Sequence, residues 1–281
     1  METRKEFKRR VQAGLKQIDQ AALLHNENEF WLIQHTYEYI EHRAYMRQLY
    51  NTALALPLMR GLHNGTYRKF GIVKDGEEHR LPYYIHCLMV CKMLVDVDCG
   101  LSPEDEDIML AAALCHDAIE DLDFPKGGRE LYETYGLDKR VYETVLLVSK
   151  TKEQTAEDER RYYEGIKADR LALLVKLADR GNNVEDLYNM SVKKTREYIE
   201  ETKQYFLPMI AHGIAHYPES ADGIRILGDK ITILINISEA TSAMFDSRLD
   251  QLRNERNQLK LENIRLREIF RQQREEDMAD E

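Results

Sequence analysis

Leu114-Cys115-His116-Asp117-Ala118-Ile119-Glu120-Asp121 carries an apolar, helix-forming run straight into four metal-binding or acid–base side chains. In a helix successive residues turn by about 100°, which sets His116 above Glu120 and Asp117 above Asp121, one turn apart. On that geometry His116 and Asp117, side by side, reach one cation. Glu120 and Asp121, roughly 5 to 6 Å further along the axis, are placed for a water or a leaving group. Taken alone, the stretch also describes an amphipathic helix with its charged end in solvent. Its companions elsewhere in the chain decide between the two.

Six prolines and 14 glycines are spread over 281 residues, and strand-like alternation of β-branched residues is nearly absent, so an all-α chain is expected. The length suffices for one large domain with appendages and a sizeable core. The longest apolar run, Ile108 to Cys115, is eight residues, far short of a membrane span. No signal-like apolar segment follows the charged amino terminus, so a cytoplasmic protein without membrane contact is expected. A formal charge of -10 argues against a general nucleic-acid binder. A small polyphosphate needs only a local cluster of Lys and Arg with a metal. Cys87, Cys91, Cys99 and Cys115 lack paired C-x-x-C spacing and read as buried reduced thiols.

Residues 1–44 read as a helical extension, a lid or packing layer of two helices marked by Phe7, Val11, Leu15 and Ile18, then Phe30, Ile33, Tyr37 and Ile40. A helix from about Tyr45 to His63 leads to the loop Asn64 to Gly71, where Arg68 and Lys69 could grip phosphate or stack on a base. The charged stretch from Ile72 to Leu81 predicts an exposed loop. Pro82 opens the next helix, with His86 near its start. Ser102 and Pro103 form the N-cap and N1 position of a helix expected to run unbroken through His116 to Asp121.

Leu171 to Ala178 is apolar nearly all round, which predicts a buried helix ending at Asp179. A buried carboxylate needs a partner, and a cation suffices. If that helix persists, Asn183 shares the face of Asp179 and could donate to a nucleotide. His212 and His216 have the i, i+4 spacing of a metal pair but no neighbouring acid, which favours a structural or substrate-side role.

Beyond Phe245 the pattern turns to heptads over residues 246–274, with Leu252, Leu259 and Leu266 at d and Leu249, Arg256, Asn263 and Phe270 at a. Glu255 and Glu262 at g meet Lys260 and Arg267 at the following e positions, the pairing of a parallel homodimer through residues 249–270. Arg248 facing Arg253 is a mismatch, and a helix folded back on the domain fits the same pattern. Residues 275–281 form an acidic tail.

Together His86, His116, Asp117 and Asp179 supply two imidazoles and two carboxylates from three helices. That set suits a borderline or hard divalent ion such as Mn²⁺, with coordination positions left for water and phosphate oxygens. Glu120 or Asp121 would orient the water and manage its protons.

The order H…HD…D, with Leu177-Ala178-Asp179-Arg180 around the last aspartate, resembles the HD phosphohydrolase superfamily. Finer motifs resemble the hydrolase domain of RelA/SpoT-type alarmone enzymes and the small alarmone hydrolases. They are His63 to Gly71 (HNGTYRKFG), Pro82 to His86 (PYYIH), His116 to Asp121 (HDAIED), Val148 to Lys150 (VSK) and Lys176 to Asn183 (KLADRGNN). The resemblance covers about Tyr45 to His216 and implies an HD-domain helical bundle, assigned here to residues 45–245. It further implies Mn²⁺ on His86, His116, Asp117 and Asp179, and removal of the 3′-pyrophosphate from guanosine tetra- or pentaphosphate (ppGpp or pppGpp). By the same carry-over Glu120 and Asp121 serve the catalytic water, Arg68 and Lys69 contact base and phosphates, and Asn183 contacts the nucleoside.

Three departures from the family pattern stand out. Ten residues separate Gly71 from Pro82 where the family joins the two motifs almost directly, Cys87 replaces a proline, and Asn182 stands where histidine is common. The carboxy-terminal third is too short and too heptad-like for a synthetase domain, so hydrolysis without synthesis is expected. Two alternatives are an HD phosphohydrolase for another nucleotide and a non-catalytic nucleotide sensor signalling through its C-terminal helix. A pure sensor has no need of both Glu120 and Asp121.

Overall fold

The computed structural model describes residues 5–7, 9–10, 31–74, 77–150 and 155–279, and their side chains except at 31–32, 69–79, 266 and 268–279. The fold is helical, as expected, with one small sheet. Most of the first expected helix, with Val11, Leu15 and Ile18, lies outside the described residues. Phe7 is buried, with its ring edge-on to Tyr45.

Helix α1 (Trp31–Arg47) and α2 (Tyr50–Leu62) replace the single expected helix from Tyr45 to His63. The break is Gln48, whose φ of 60° stops the helical path. A β-hairpin follows, β1 (Tyr67–Lys74) and β2 (Glu77–Pro82), with Ile72 opposite His79 and Lys74 opposite Glu77. The expected loop at 72–81 is therefore mostly strand. High charge misled that reading, because backbone pairing, not side-chain polarity, builds a two-stranded ribbon. Asp75-Gly76, between the strands in sequence, is a favoured hairpin dipeptide.

Helix α3 (Tyr84–Asp96) carries His86. In α4 (Pro103–Cys115) the Ser102 side chain accepts from the Asp105 amide, as its sequence predicts. Buried Asp107 on α4 accepts from the backbone amides of Asn51 and Thr52 at 2.9 and 2.7 Å, tying α4 to the free amino end of α2. The helix does not run unbroken to Asp121. It ends at Cys115, His116 and Asp117 form a turn, and a single turn, α5 (Ala118–Asp121), follows. On an ideal helix adjacent side chains diverge by about 100°. Asp117, with ψ of −6°, departs from helical geometry and lets both side chains converge.

After α6 (Glu130–Glu133) and α7 (Lys139–Val148), a capping box between Thr155 and Asp158 starts α8 (Ala156–Ala168). Helix α9 (Arg170–Glu185) begins under the Asp169 cap and continues past Asn183, so Asp179 and Asn183 do share a face. It is buried as expected. Leu88, Cys91, Leu110, Leu114, Leu174 and Leu177, from α3, α4 and α9, are fully buried. Each large aliphatic among them contributes about 1.5–3 kcal/mol, which offsets the cost of holding polar groups in the same helices.

The helix expected from Val192 to His216 is α10 (Val192–Glu201), a π-helical turn at Thr202–Phe206 and α11 (Leu207–His216). Pro208, without an amide hydrogen, cannot complete the regular bond pattern there. The last element, α12 (Ala221–Ala279), spans 59 residues. The chain divides into two units, Met1–Leu234 and Ile235–Glu281. Within the second, Leu249, Leu252 and Leu259 are exposed. All four cysteines are buried and free. Among the described residues no helix is long and apolar enough to cross a membrane.

Candidate metal centre and active site

Three segments converge. His86 comes from the first turn of α3, His116 and Asp117 from the turn between α4 and α5, and Asp179 from the middle of α9. His86 Nε2 lies 3.2 Å from Asp179 Oδ1 and 3.5 Å from Asp117 Oδ2. His116 Nε2 lies 3.0 Å from Asp117 Oδ2 and 3.6 Å from Asp179 Oδ1. The two Nε2 atoms face each other at 3.2 Å.

The outer nitrogens set the chemistry of this cluster. Asn182 Nδ2 donates to Glu185, which turns its Oδ1 toward His86 Nδ1 at 2.6 Å. His116 Nδ1 lies 2.8 Å from the Ala113 carbonyl oxygen. Both Nδ1 atoms must therefore carry hydrogens, leaving both Nε2 atoms as the free ligand positions. Two lone pairs cannot face each other so closely without a positive charge between them. A proton serves on His116, which burial disfavours but Asp117 stabilises well above the usual histidine range. A divalent ion in its place is what this donor set fits.

The carboxylates are held from outside. Burial works against their charge, yet both stay well below the usual carboxylate range: Asp117 through the two imidazoles, Asp179 through Lys176 and the same imidazoles. The Tyr83 hydroxyl donates to Asp117 Oδ2 at 2.7 Å, and buried Lys176 Nζ stands 3.0 Å from Asp179 Oδ2. Asn183 Nδ2 donates to Asp179 Oδ1 at 2.6 Å, so in this state it supports the centre. Glu120 Oε1 accepts from the Lys150 amide at 2.5 Å, and burial raises its carboxyl. Burial and the charge of Asp117 raise Asp121.

Arg68 pairs with Asp186, just past the end of α9, and so ties β1 to the helix of Asp179. The side chain of Lys69 lies outside the described residues. His212 and His216 stack at 3.9 Å with His216 Nδ1 on the His212 carbonyl oxygen, and join no candidate metal cluster among the described residues.

Sequence reasoning named the four central residues but gave no role to Tyr83, Lys176 or His63. Tyr83 lies three residues before His86, and Lys176 three before Asp179, spacings that share a helix face. His63 is buried against the Tyr83 ring, with neither ring nitrogen hydrogen-bonded, and burial lowers it to about 4.

Residues 83–183, from Tyr83 to Asn183, match the family model described as the HD domain. The match covers just over a third of the chain. The matched segment encloses His86, His116, Asp117, Asp179 and their supports, and Arg68 and Lys69 lie before it. An Aquifex aeolicus protein named guanosine-3′,5′-bis(diphosphate) 3′-pyrophosphohydrolase is 32% identical over 149 residues, 50% of this chain and 20% of its own. The Escherichia coli bifunctional (p)ppGpp synthase/hydrolase SpoT is 32% identical over 145 residues, 48% of this chain and 19% of its own. The chain thus spans about a fifth of the length of these relatives. A solved structure described as a metazoan ortholog of SpoT that hydrolyses ppGpp aligns over 76% of this chain and 98% of its own, at 19% identity and a TM-score of 0.46.

Proposed function

We propose that this chain is a metal-dependent phosphohydrolase that removes pyrophosphate from the 3′ position of guanosine 3′,5′-bis(diphosphate) or its pentaphosphate analogue, and does not synthesise them. The observation that carries the reading is the convergence of two imidazoles and two carboxylates beside Glu120 and Asp121. The names of the relatives supply the substrate class.

His86, His116, Asp117 and Asp179 would hold the ion, which we take to be Mn²⁺. Bound there, a divalent ion supplies charge to polarise a phosphoryl oxygen and to make water acidic. Tyr83, Asn182 and Lys176 keep the four side chains aimed. Glu120, with its raised carboxyl, takes a proton from the attacking water, and Asp121 orients that water or returns the proton to the leaving oxygen. Arg68 exchanges Asp186 for a phosphate oxygen, Lys69 adds a second positive charge, and Asn183 turns from Asp179 to the nucleoside.

The hairpin β1–β2 favours one other reading, a phosphohydrolase of this type acting on a different nucleotide, because it stands where the family pattern has a direct connection. The test is hydrolysis of guanosine tetraphosphate with and without Mn²⁺, beside Glu120→Ala/Asp121→Ala. Metal-dependent formation of guanosine diphosphate and pyrophosphate, lost in the double variant, is the expected result. Bound metal without turnover turns the search to other nucleotides. Formation of tetraphosphate from ATP and guanosine diphosphate would overturn the hydrolase-only reading.

A further inference from the structure

Cys87 follows His86 on α3, and its sulfur borders the metal centre. Cys87 Sγ, a ring nitrogen of His116 and a carboxylate oxygen of Asp117 all lie within 4.8 Å of one another. Ligand atoms of His86, His116 and Asp179 meet the same limit. His116 therefore belongs to two overlapping donor sets, one of nitrogen and oxygen alone and one that includes sulfur.

The two sets share Asp117, which sits in the four-residue centre as well, and differ in softness. Asp179 already shares its charge with Lys176, 3.0 Å from its Oδ2. Asp117 instead accepts from the neutral Tyr83 hydroxyl. A thiolate at Cys87 beside Asp117 offers a soft sulfur donor, which the four-residue centre of His86, His116, Asp117 and Asp179 lacks. Thiolate ligands select zinc over manganese, and tetrahedral zinc sites of Cys, His and carboxylate are a common combination.

We propose that Cys87, His116 and Asp117 form a second coordination position for a thiophilic divalent ion, foremost Zn²⁺, mutually exclusive with the His86–His116–Asp117–Asp179 position because both use His116 and Asp117. It deepens the metal-centre reading above and rests on it. On coordination the Cys87 Sγ–H bond breaks, its proton passes to solvent and the thiolate electron pair forms the bond to the ion; nothing is oxidised or reduced. Zn²⁺ thereby excludes Mn²⁺ by occupying His116 and Asp117, not by replacing it in an identical site.

The metal-stripped full chain titrated with Co²⁺, a spectroscopic stand-in for Zn²⁺, tests this without any substrate. Visible ligand-field bands report binding, and a near-ultraviolet sulfur-to-cobalt charge-transfer band reports a thiolate ligand. Both are expected in the native chain, with Zn²⁺ abolishing both. Cys87→Ser should keep visible bands and lose the charge-transfer band. Its Zn²⁺ affinity should fall by at least the roughly tenfold that loss of an outer partner costs, with Mn²⁺ affinity little changed. Cys115→Ser, at another buried thiol, should keep every band. Should Cys87→Ser not fold, the native spectrum still decides. Visible bands without charge transfer in the native chain would overturn the Cys87 proposal and leave the metal centre standing. No bound cobalt would overturn both.

Discussion

His86 on α3 and Asn182 on α9 are joined at 2.6 Å, Nδ1 to Oδ1. The amide cannot rotate away, because its Nδ2 is held by Glu185 at 3.0 Å. Asn182, one position before the end of the expected motif, thus decides which nitrogen of His86 faces the centre. Asn182→Leu removes that acceptor and frees the ring to take the wrong tautomer. Metal affinity should fall about 10- to 100-fold, with little change in helicity, when Mn²⁺ is titrated calorimetrically. Asn182→His, the residue common in the family pattern, should recover most of the loss. Unchanged affinity in Asn182→Leu would mean that the bond does not orient the ligand.

Glu120 and Asp121 stand apart from the convergent donors, so their loss should separate chemistry from metal binding. Glu120→Gln should lower kcat by about 10²- to 10⁴-fold, the range a positioned acid–base group supplies, while metal content stays at the native level. Equal loss of metal and activity would place Glu120 among the ligands instead.

The helical fold and the four central residues were legible in the sequence because each depends on local pattern. Ser102-Pro103 fixes where α4 starts, and the all-round apolar run before Asp179 demands burial. What was not legible depends on contacts between distant segments or on backbone departures from regularity. The turn at His116–Asp117 leaves no mark in composition, and an ideal helix there would have splayed the two side chains. The β-hairpin was masked by its own charge. Arg68 and Asn183, assigned to substrate, pair here with Asp186 and Asp179, partners no spacing rule could supply.

Glu201 provides a pH signature outside the four converging donors. Burial opposes its charge, but Arg180 at 2.8 Å and Lys150 at 2.8 Å prevail and lower the carboxyl from 4.5 to about 2. A lowered folded-state value means stability fully present above the unfolded value near 4.5 and lost as pH falls toward 2. The full shift corresponds to on the order of 3 kcal/mol. Glu201→Gln should therefore lower Tm at neutral pH and flatten its fall between those limits. Thermal melts of both proteins across that range check it; parallel curves would deny the linkage.

Leu252 and Leu259 are 45% and 63% exposed on α12, seven residues apart at equivalent heptad positions. Large aliphatics in such a row cost solubility unless something covers them. A second copy in parallel register would cover them and set Glu255 against Lys260 and Glu262 against Arg267, with Asn263 favouring two strands over three. The expected mass of the full chain by sedimentation equilibrium is therefore that of a dimer. Leu252→Asp/Leu259→Asp should give the monomer, because a buried charge at two successive d positions exceeds what a few heptads can offset. Metal binding should persist in that variant, since residues 83–183 contain the whole donor set. A native chain that sediments as a monomer at micromolar concentration would rule the pairing out and leave the leucine row for a different partner.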